Sequence, residues 1–149
     1  MPLVYFDSSA LVKLLTEEPR SDLVAELWDG CDAAVASRLA YPEVCAALAA
    51  AGRNHDLTGR ELNAAGQTWG EFWAAIRPVE LTTAVEQHAG QLARSYALRG
   101  ADAVHLASAF AIGDDDLVMA AWDRRLHQGA RSAGLRVAPA AFDGGTVPG

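Results

Sequence analysis

Four acidic residues of this sequence lie where folding could bring carboxylates together. Asp7 directly follows the apolar run LVYF, and Asp123 directly follows the apolar run LVMAAW. Glu43 and Asp102 lie in AYPEV and RGADAVHLASA, two segments that favour the start of a helix. A carboxylate at the end of a buried strand is costly to desolvate, so it must cap a helix, pair with a cation or bind a ligand.

Each of the four acids alone is explained by ordinary helix structure. Asp7 and Asp123 are suitable N-cap residues, and Glu43 and Asp102 would complement the helix dipole from a first turn. The combination indicates more, because Mg²⁺ and Mn²⁺ prefer oxygen ligands and a small group of carboxylates leaves positions for water and a substrate phosphate. We therefore interpret the four acids as a hydrolase-type metal site.

The elements that would position these acids follow from the alternation of short apolar runs with longer helical patterns. Strands are predicted at 3–6, 33–36, 79–81, 116–122 and 135–138. Helices are predicted at 10–15, 21–28, within 37–53, and at 57–76, 84–98, 103–112 and 124–133. This order favours an α/β domain with a parallel sheet and helices on both faces. Ligands of such sheets bind beyond the carboxyl ends of the strands, where the four acids are expected to converge.

The composition is that of one globular domain. With 149 residues, 51% of them hydrophobic, the chain can bury a core without disulfides or structural metal. We expect a domain over 1–142 and a flexible tail at 143–149, DGGTVPG. Cys31 and Cys45 lack metal-binding spacing and are interpreted as buried hydrophobic residues in a reducing compartment. No apolar segment approaches the ~20 residues of a membrane span, and no signal peptide is recognised, so a cytoplasmic protein is expected.

The charge balance bears on the choice of partner. Twelve basic residues against 19 acidic ones give a formal net charge of −7, which by itself argues against a nucleic-acid partner. Divalent cations bound by the acids would cancel part of this charge and could attract phosphate. Every basic residue except Lys13 is an arginine, whose fork geometry suits carboxylate and phosphate.

The order and context of the four acids resemble the PIN-domain ribonucleases, especially the VapC-type toxins of prokaryotic toxin–antitoxin pairs. The resemblance rests on YFDSSALVKLLTEEP, AYPEV, RGADAVHLASA and LVMAAWDRRL and extends from Leu3 to about Pro139. It implies a PIN-like three-layer α/β/α fold. It also implies a metal-dependent endoribonuclease that hydrolyses RNA with metal-activated water and leaves 5′-phosphate and 3′-hydroxyl ends.

The resemblance further assigns roles to individual residues. Asp7, Glu43, Asp102 and Asp123 would form the acidic quartet that holds Mg²⁺ or Mn²⁺, and Asp7 and Asp102 are the two ligands that the family's motifs match best. Ser9 would help to orient the first acid. With Asp7 holding a metal, Ser8 or Ser9 is expected to cap the following helix. The expected partners are the RNA substrate and a cognate antitoxin protein that blocks the site.

Two other classes of function are weighed against this one. An aspartyl-phosphate phosphotransfer domain also places an Asp after a parallel strand, but the dehalogenase type needs a second Asp where this chain has Ser9. A receiver-like domain needs a lysine after a late strand, and Lys13 is the only lysine. A non-catalytic PIN-like interaction module would have little reason to hold four like charges together without a metal. Metal binding distinguishes such a module from the nuclease.

Three further patterns complete the sequence-based expectations. His105, one helical turn after Asp102, is interpreted as a core histidine or a neighbour of the ligands and is not assigned as a ligand. A stripe at helical spacing predicts helix packing or the surface of an expected homodimer: Trp69, Phe72, Trp73 and Ile76. A groove for an amphipathic partner helix is expected on the first two helices, although some of its residues must belong to the core: Leu11, Leu14, Leu15, Leu23, Val24 and Leu27.

Overall fold

A parallel sheet forms the centre of the protein, whose computed structural model describes residues 2–142. Its strands are β1 Leu3–Phe6, β2 Ala33–Ser37, β3 Arg77–Val79, β4 Val118–Ala120 and β5 Arg136–Ala138. The helices within the same residues are α1 Ser8–Leu15, α2 Ser21–Gly30, α3 Ala40–Arg53, α4 Gly59–Ala75, α5 Thr83–Tyr96, α6 Gly100–Ala111 and α7 Arg124–Ser132. The predicted tail at 143–149 lies outside the described residues, and the domain boundary at 142 stays a prediction.

The first strand of the chain lies in the middle of the sheet. The strand order is β3-β2-β1-β4-β5, and every neighbouring pair is parallel. The chain therefore fills one side of β1 with β2 and β3 before it returns to the other side with β4. A crevice forms beyond the carboxyl ends of the strands at such a reversal. Asp7 and Asp123 follow the two strands that border it, β1 and β4.

Helices cover both faces of the sheet, as the sequence predicted. Val4 and Phe6 of β1 pack into the core formed with α1 to α4, whereas Tyr5 packs into the core formed with α5, α6 and α7. This division follows from the pleat, because successive side chains of a strand point to opposite faces. The three-layer α/β/α architecture is confirmed. Each layer then contributes one helix, α3 or α6, whose first turn carries one of the acids, Glu43 or Asp102.

The observed bounds differ from the predicted ones at two places that matter. The third strand is Arg77–Val79 rather than 79–81, because Pro78 pairs with Ala36 at the edge of the sheet, where a missing N–H is tolerated. The sixth helix begins at Gly100 rather than 103, after the extended backbone of Arg99. Asp102 therefore lies inside the first helical turn.

The remaining expectations about packing have mixed outcomes. Trp69 and Ile76 are buried in the core, with Phe72 and Trp73 packed against it, so the aromatic stripe serves helix packing. The prediction of two buried cysteines is wrong, since Cys45 is exposed and Cys31 only half-buried. The reason is that Cys45 lies on the outward side of α3.

Among residues 2–142, no helix has the length and apolar character needed to cross a membrane.

The apolar groove is formed by helices other than the predicted pair, α1 and α2. Leu11 and Val24 of the expected set are fully buried core residues. Leu14 and Leu15 of the same set line a groove of about 1060 Å³ that α1 forms with α3 and α4. Four acidic residues lie around this groove: Glu17, Glu18, Asp56 and Glu61.

Candidate active site

The four predicted acids lie around one cavity at the carboxyl edge of the sheet. The cavity has a volume of about 310 Å³. Its lining includes all four carboxylate residues together with Ser9, Arg99 and His105, and the acids are Asp7, Glu43, Asp102 and Asp123. Residues from four separate segments of the chain meet here because β1, α3, α6 and α7 all direct an end toward this edge.

Asp7 is both the deepest acid of the cavity and the N-cap of α1. Its backbone is extended, with φ −77° and ψ 172°, and its Oδ1 accepts the N–H of Ala10 at 2.8 Å. The expectation that Ser8 or Ser9 caps this helix is therefore wrong. The chain leaves β1 at residue 7 and is helical from residue 8, so the position before the first helical residue belongs to the acid. Capping uses one lone pair of the carboxylate and leaves others for a cation.

Ser9 connects the end of the central strand β1 with the end of its neighbour β4. Its Oγ lies 2.7 and 2.8 Å from the two carboxylate oxygens of Asp7, to which the hydroxyl donates. The same Oγ accepts the N–H of Trp122 at 3.0 Å. The backbone N–H of Asp7 also donates to the carbonyl oxygen of Ala120 at 3.1 Å. These bonds fix the carboxylate of Asp7 relative to both β1 and β4.

Burial dominates the electrostatics of Asp7. Its side chain is only 2% exposed, and loss of hydration raises its pKa from 3.8 to about 6. The positive charge that His105 carries when protonated and the hydrogen bonds from Ala10 and Ser9 favour the ionised form, but together they do not offset the burial. Nearby Asp123 raises the pKa further by repulsion. The protein's own interactions thus stabilise the ionised Asp7 carboxylate by less than its burial costs. This condition favours a bound cation.

Glu43 is held by a buried histidine. His105 Nε2 lies 2.5 Å from Glu43 Oε1, and His105 Nδ1 lies 2.7 Å from the hydroxyl oxygen of Tyr5. The Tyr5 oxygen also accepts the N–H of Ser37 at 3.1 Å. Burial raises the pKa of Tyr5 well above its usual value, so its hydroxyl stays protonated. The sequence did not reveal this connection, although the spacing Asp-x-x-His places His105 on the same helical face as Asp102.

Asp102 and Asp123 share one arginine that the sequence interpretation also missed. Arg99 Nε lies 3.1 Å from Asp102 Oδ2, and its Nη2 lies 2.9 Å from Asp123 Oδ2. Asp123 uses its other oxygen to cap α7, accepting the N–H of Leu126 at 3.0 Å. The Arg99 side chain is 65% exposed, so these ion pairs are screened and weak. The spacing Arg-x-x-Asp was the available signal, because residues three apart are neighbours on a helix.

The donor set fits a hard divalent cation, although its side chains now have other partners. Within residues 2–142, no three Asp, Glu, His or Cys side chains converge closely enough to hold one ion as they stand. Asp102 and Asp123 bind the guanidinium of Arg99, and Glu43 binds His105. The carboxylates nevertheless face one cavity, and the exposed arginine already places a positive charge between two of them. Rotation of Arg99 away from the cavity would free both acids for a metal.

Known proteins resemble the part of the chain that carries these residues. A family model described as the PIN domain matches residues 4–131. Ribonuclease VapC49 of Mycobacterium tuberculosis is 72% identical over 143 residues, which is 96% of this chain and 99% of that protein.

Solved structures have similar folds at low sequence identity. The crystal structure of Mycobacterium tuberculosis VapC20, a Sarcin-Ricin loop cleaving toxin, has a TM-score of 0.64 at 18% identity and covers 89% of this chain and 95% of that chain. A toxin–antitoxin complex from Klebsiella pneumoniae has a TM-score of 0.59 at 18% identity, covering 79% and 84%. At these identities the likeness establishes the fold.

The burial of Asp7 predicts that Asp7→Asn stabilises the metal-free protein at neutral pH. The pKa of Asp7 is about 6 in the folded protein against 3.8 ordinarily, so its contribution to the free energy of unfolding falls as pH rises between these values. Asn stays neutral and keeps an oxygen for the N–H of Ala10. We expect a small difference of about 0.5 kcal/mol near pH 4 and a variant more stable by about 2–3 kcal/mol near pH 7, at ~1.36 kcal/mol per pKa unit.

Urea unfolding in chelator-treated buffer at the two pH values measures this effect. Glu71→Gln, on the exposed face of α4, is the matched control and should change stability little at either pH. An Asp7→Asn protein that is less stable than the wild type at neutral pH would contradict the dominance of desolvation.

Proposed function

This chain belongs to the PIN-domain family, and from this membership and its site we propose that it is a metal-dependent endoribonuclease and the toxin of a toxin–antitoxin pair. The observation that carries the proposal is the meeting of Asp7, Glu43, Asp102 and Asp123 around one cavity. The chain that builds this cavity is 72% identical, over 96% of its length, to a protein named as a ribonuclease. RNA is therefore the substrate.

The four acids are the residues that would hold Mg²⁺ or Mn²⁺. A bound divalent cation supplies an activated water for in-line attack on a phosphodiester and stabilises the leaving oxygen. The burial of the Asp7 carboxylate, which its protein contacts do not offset, provides a strong electrostatic reason to bind the cation. Ser9 keeps that carboxylate in place. The bound charge also reduces the repulsion between RNA phosphates and a chain of formal net charge −7.

Arg99 has two roles in this proposal. Its guanidinium pairs with Asp102 and Asp123, and a metal held by these two acids would displace it to the rim of the cavity. A guanidinium fork matches the geometry of phosphate oxygens. Arg99 is therefore placed to bind the RNA backbone beside the scissile bond.

The antitoxin would bind in the groove formed by α1, α3 and α4. Its floor is apolar, with Leu14, Leu15 and several alanines, and its rim is acidic. An amphipathic helix with apolar anchors and basic flanks complements such a surface. Arginines of the same partner could pair with the acids of the cavity, as Arg99 does within the chain. The expected homodimer stays a prediction.

Cleavage should depend on the acids and on a divalent cation. Asp7→Asn and Asp102→Asn should each lower RNA cleavage by about 100-fold or more, because even residues that only support metal ligands are commonly worth 10–100-fold. A chelator should abolish wild-type cleavage, and Mg²⁺ or Mn²⁺ but not Ca²⁺ should restore it. The measurement is cleavage of total RNA by purified, antitoxin-free protein with mapping of the cut ends.

The exposed Glu71→Gln protein serves as the control for that experiment and should cleave like the wild type. Wild-type rates from Asp7→Asn, or undiminished cleavage in excess chelator, would refute the proposed metal site.

Arg99→Gln should tighten metal binding, because it removes a positive charge that competes for Asp102 and Asp123. Exposed ion pairs of this kind are weak, so we expect the Mn²⁺ Kd to fall only modestly, by roughly two- to tenfold. Titration of Mn²⁺ followed by electron paramagnetic resonance measures the Kd. Arg94→Gln, exposed on α5 and equal in charge change, should leave the Kd unchanged. Weaker binding by Arg99→Gln would contradict the competition.

The groove can be tested separately from the catalytic site. Ala47 is an exposed residue of α3 that lines the groove, and its neighbour Ala46 is exposed but does not line it. Ala47→Arg should weaken antitoxin binding by about tenfold or more through steric and charge conflict, while Ala46→Arg should not. Both proteins should cleave RNA normally without antitoxin. Equal antitoxin affinity of the two variants would place the partner elsewhere.

A further inference from the structure

A chain of hydrogen bonds runs across the carboxyl edge of the sheet and ends on one of the proposed metal ligands. It begins at the backbone N–H of Ser37, passes through the hydroxyl of Tyr5 and the imidazole of His105, and ends at Oε1 of Glu43. We propose that His105 is a positioning residue that holds Glu43 for metal binding through this relay, an inference that rests on the proposed function.

For a neutral imidazole, only one placement of the protons gives every hydrogen bond of the relay both a donor and an acceptor. An ionised Glu43 carboxylate can only accept, so Nε2 of His105 carries the proton. Nδ1 then accepts from the hydroxyl of Tyr5, and the Tyr5 oxygen accepts from the N–H of Ser37. Each group thus fixes the orientation of the next one, and both ring nitrogens of His105 are occupied. His105 therefore acts through Glu43 and is not itself a metal ligand.

The relay joins parts of the protein that are otherwise separated by the sheet. Tyr5 lies on the central strand, His105 on α6 in one helical layer, and Glu43 on α3 in the other. Ser37 also anchors the start of α3, since its Oγ accepts the N–H of Leu39 at 3.1 Å. The same residue therefore fixes both the origin of the relay and the helix on which the relay ends.

Burial makes the relay rigid, in contrast to the pairing of the other acids. Tyr5 and His105 are 0% and 2% exposed, so water does not compete for their hydrogen bonds. The Glu43 side chain is 29% exposed and faces the cavity. The relay engages Oε1, which leaves Oε2 outside it. Residues that orient metal ligands in this way typically change metal affinity or activity by 10–100-fold when removed.

The matched control is the other fully buried histidine. His127 Nε2 donates to the carbonyl oxygen of Pro139 at 2.6 Å, and His127 does not line the acidic cavity. His127→Leu should therefore lower stability without altering the site. A structural role for His105 would give the same result, whereas a positioning role would not.

The first test measures the site in the folded variants. His105→Leu should raise the Mn²⁺ Kd and lower kcat by about 10–100-fold each, whereas His105→Gln, whose amide nitrogen can replace Nε2 as a donor, should recover most of both. Tyr5→Phe keeps the ring but removes the donor to Nδ1, so it should show an intermediate loss. His127→Leu should leave Kd and kcat unchanged. Losses in His105→Leu that merely match those of His127→Leu would overturn the proposal.

The second test asks whether His105 acts through Glu43. In a Glu43→Gln background, His105→Leu should cause no further rise in the Mn²⁺ Kd, because the carboxylate it positions is gone. Additive effects would overturn the proposal. Imidazole ¹⁵N shifts in the metal-free protein should show the Nε2–H tautomer of His105, and an Nδ1–H tautomer would also overturn it. Neither measurement needs cleavage, so failure of the relay is distinguishable from failure of the ribonuclease assignment, which would show as inactive wild-type protein that still binds Mn²⁺.

Discussion

The buried carboxylate at the end of β1 is the constraint around which this molecule is arranged. Asp7 lies where the central strand meets its helix, almost without contact with water. The N–H of Ala10 and the hydroxyl of Ser9 bind it, yet its pKa remains raised to about 6. Hydrogen bonds alone therefore do not compensate for the lost hydration. A protein that keeps such a group ionised at neutral pH benefits from a cation beside it.

The topology explains why three more acids can reach the same place. Because β1 is central and the chain fills one side of it before the other, the crevice at its carboxyl end is open to segments from both helical layers. Glu43 arrives on the first turn of α3, Asp102 on the first turn of α6, and Asp123 at the cap of α7. Helix N-termini also supply positive dipole ends, which reduce the cost of bringing the carboxylates together.

The site combines one exchangeable and one fixed set of contacts. Arg99 is largely exposed, so its pairs with Asp102 and Asp123 are weak and a stronger cation can replace it. His105 and Tyr5 are buried, so the bond to Glu43 is held by a network that water does not disrupt. This division would suit the proposed metal site, because Glu43 would keep its geometry while Asp102 and Asp123 exchanged Arg99 for a metal.

The sequence by itself determined the fold class and singled out four acids that the fold brings to one cavity. Apolar runs of strand length alternate with helical patterns, and each acid follows a strand or opens a helix, so local periodicity and composition were sufficient. It did not determine that Asp7 rather than Ser8 or Ser9 caps α1, because all three can cap and only the point where the backbone turns helical decides between them. Nor did it reveal the partners of His105, which lie 62 and 100 residues away in the chain. Only the tertiary structure decides such contacts, since they depend on how two helical layers pack on the sheet, and that packing leaves no local pattern in the sequence.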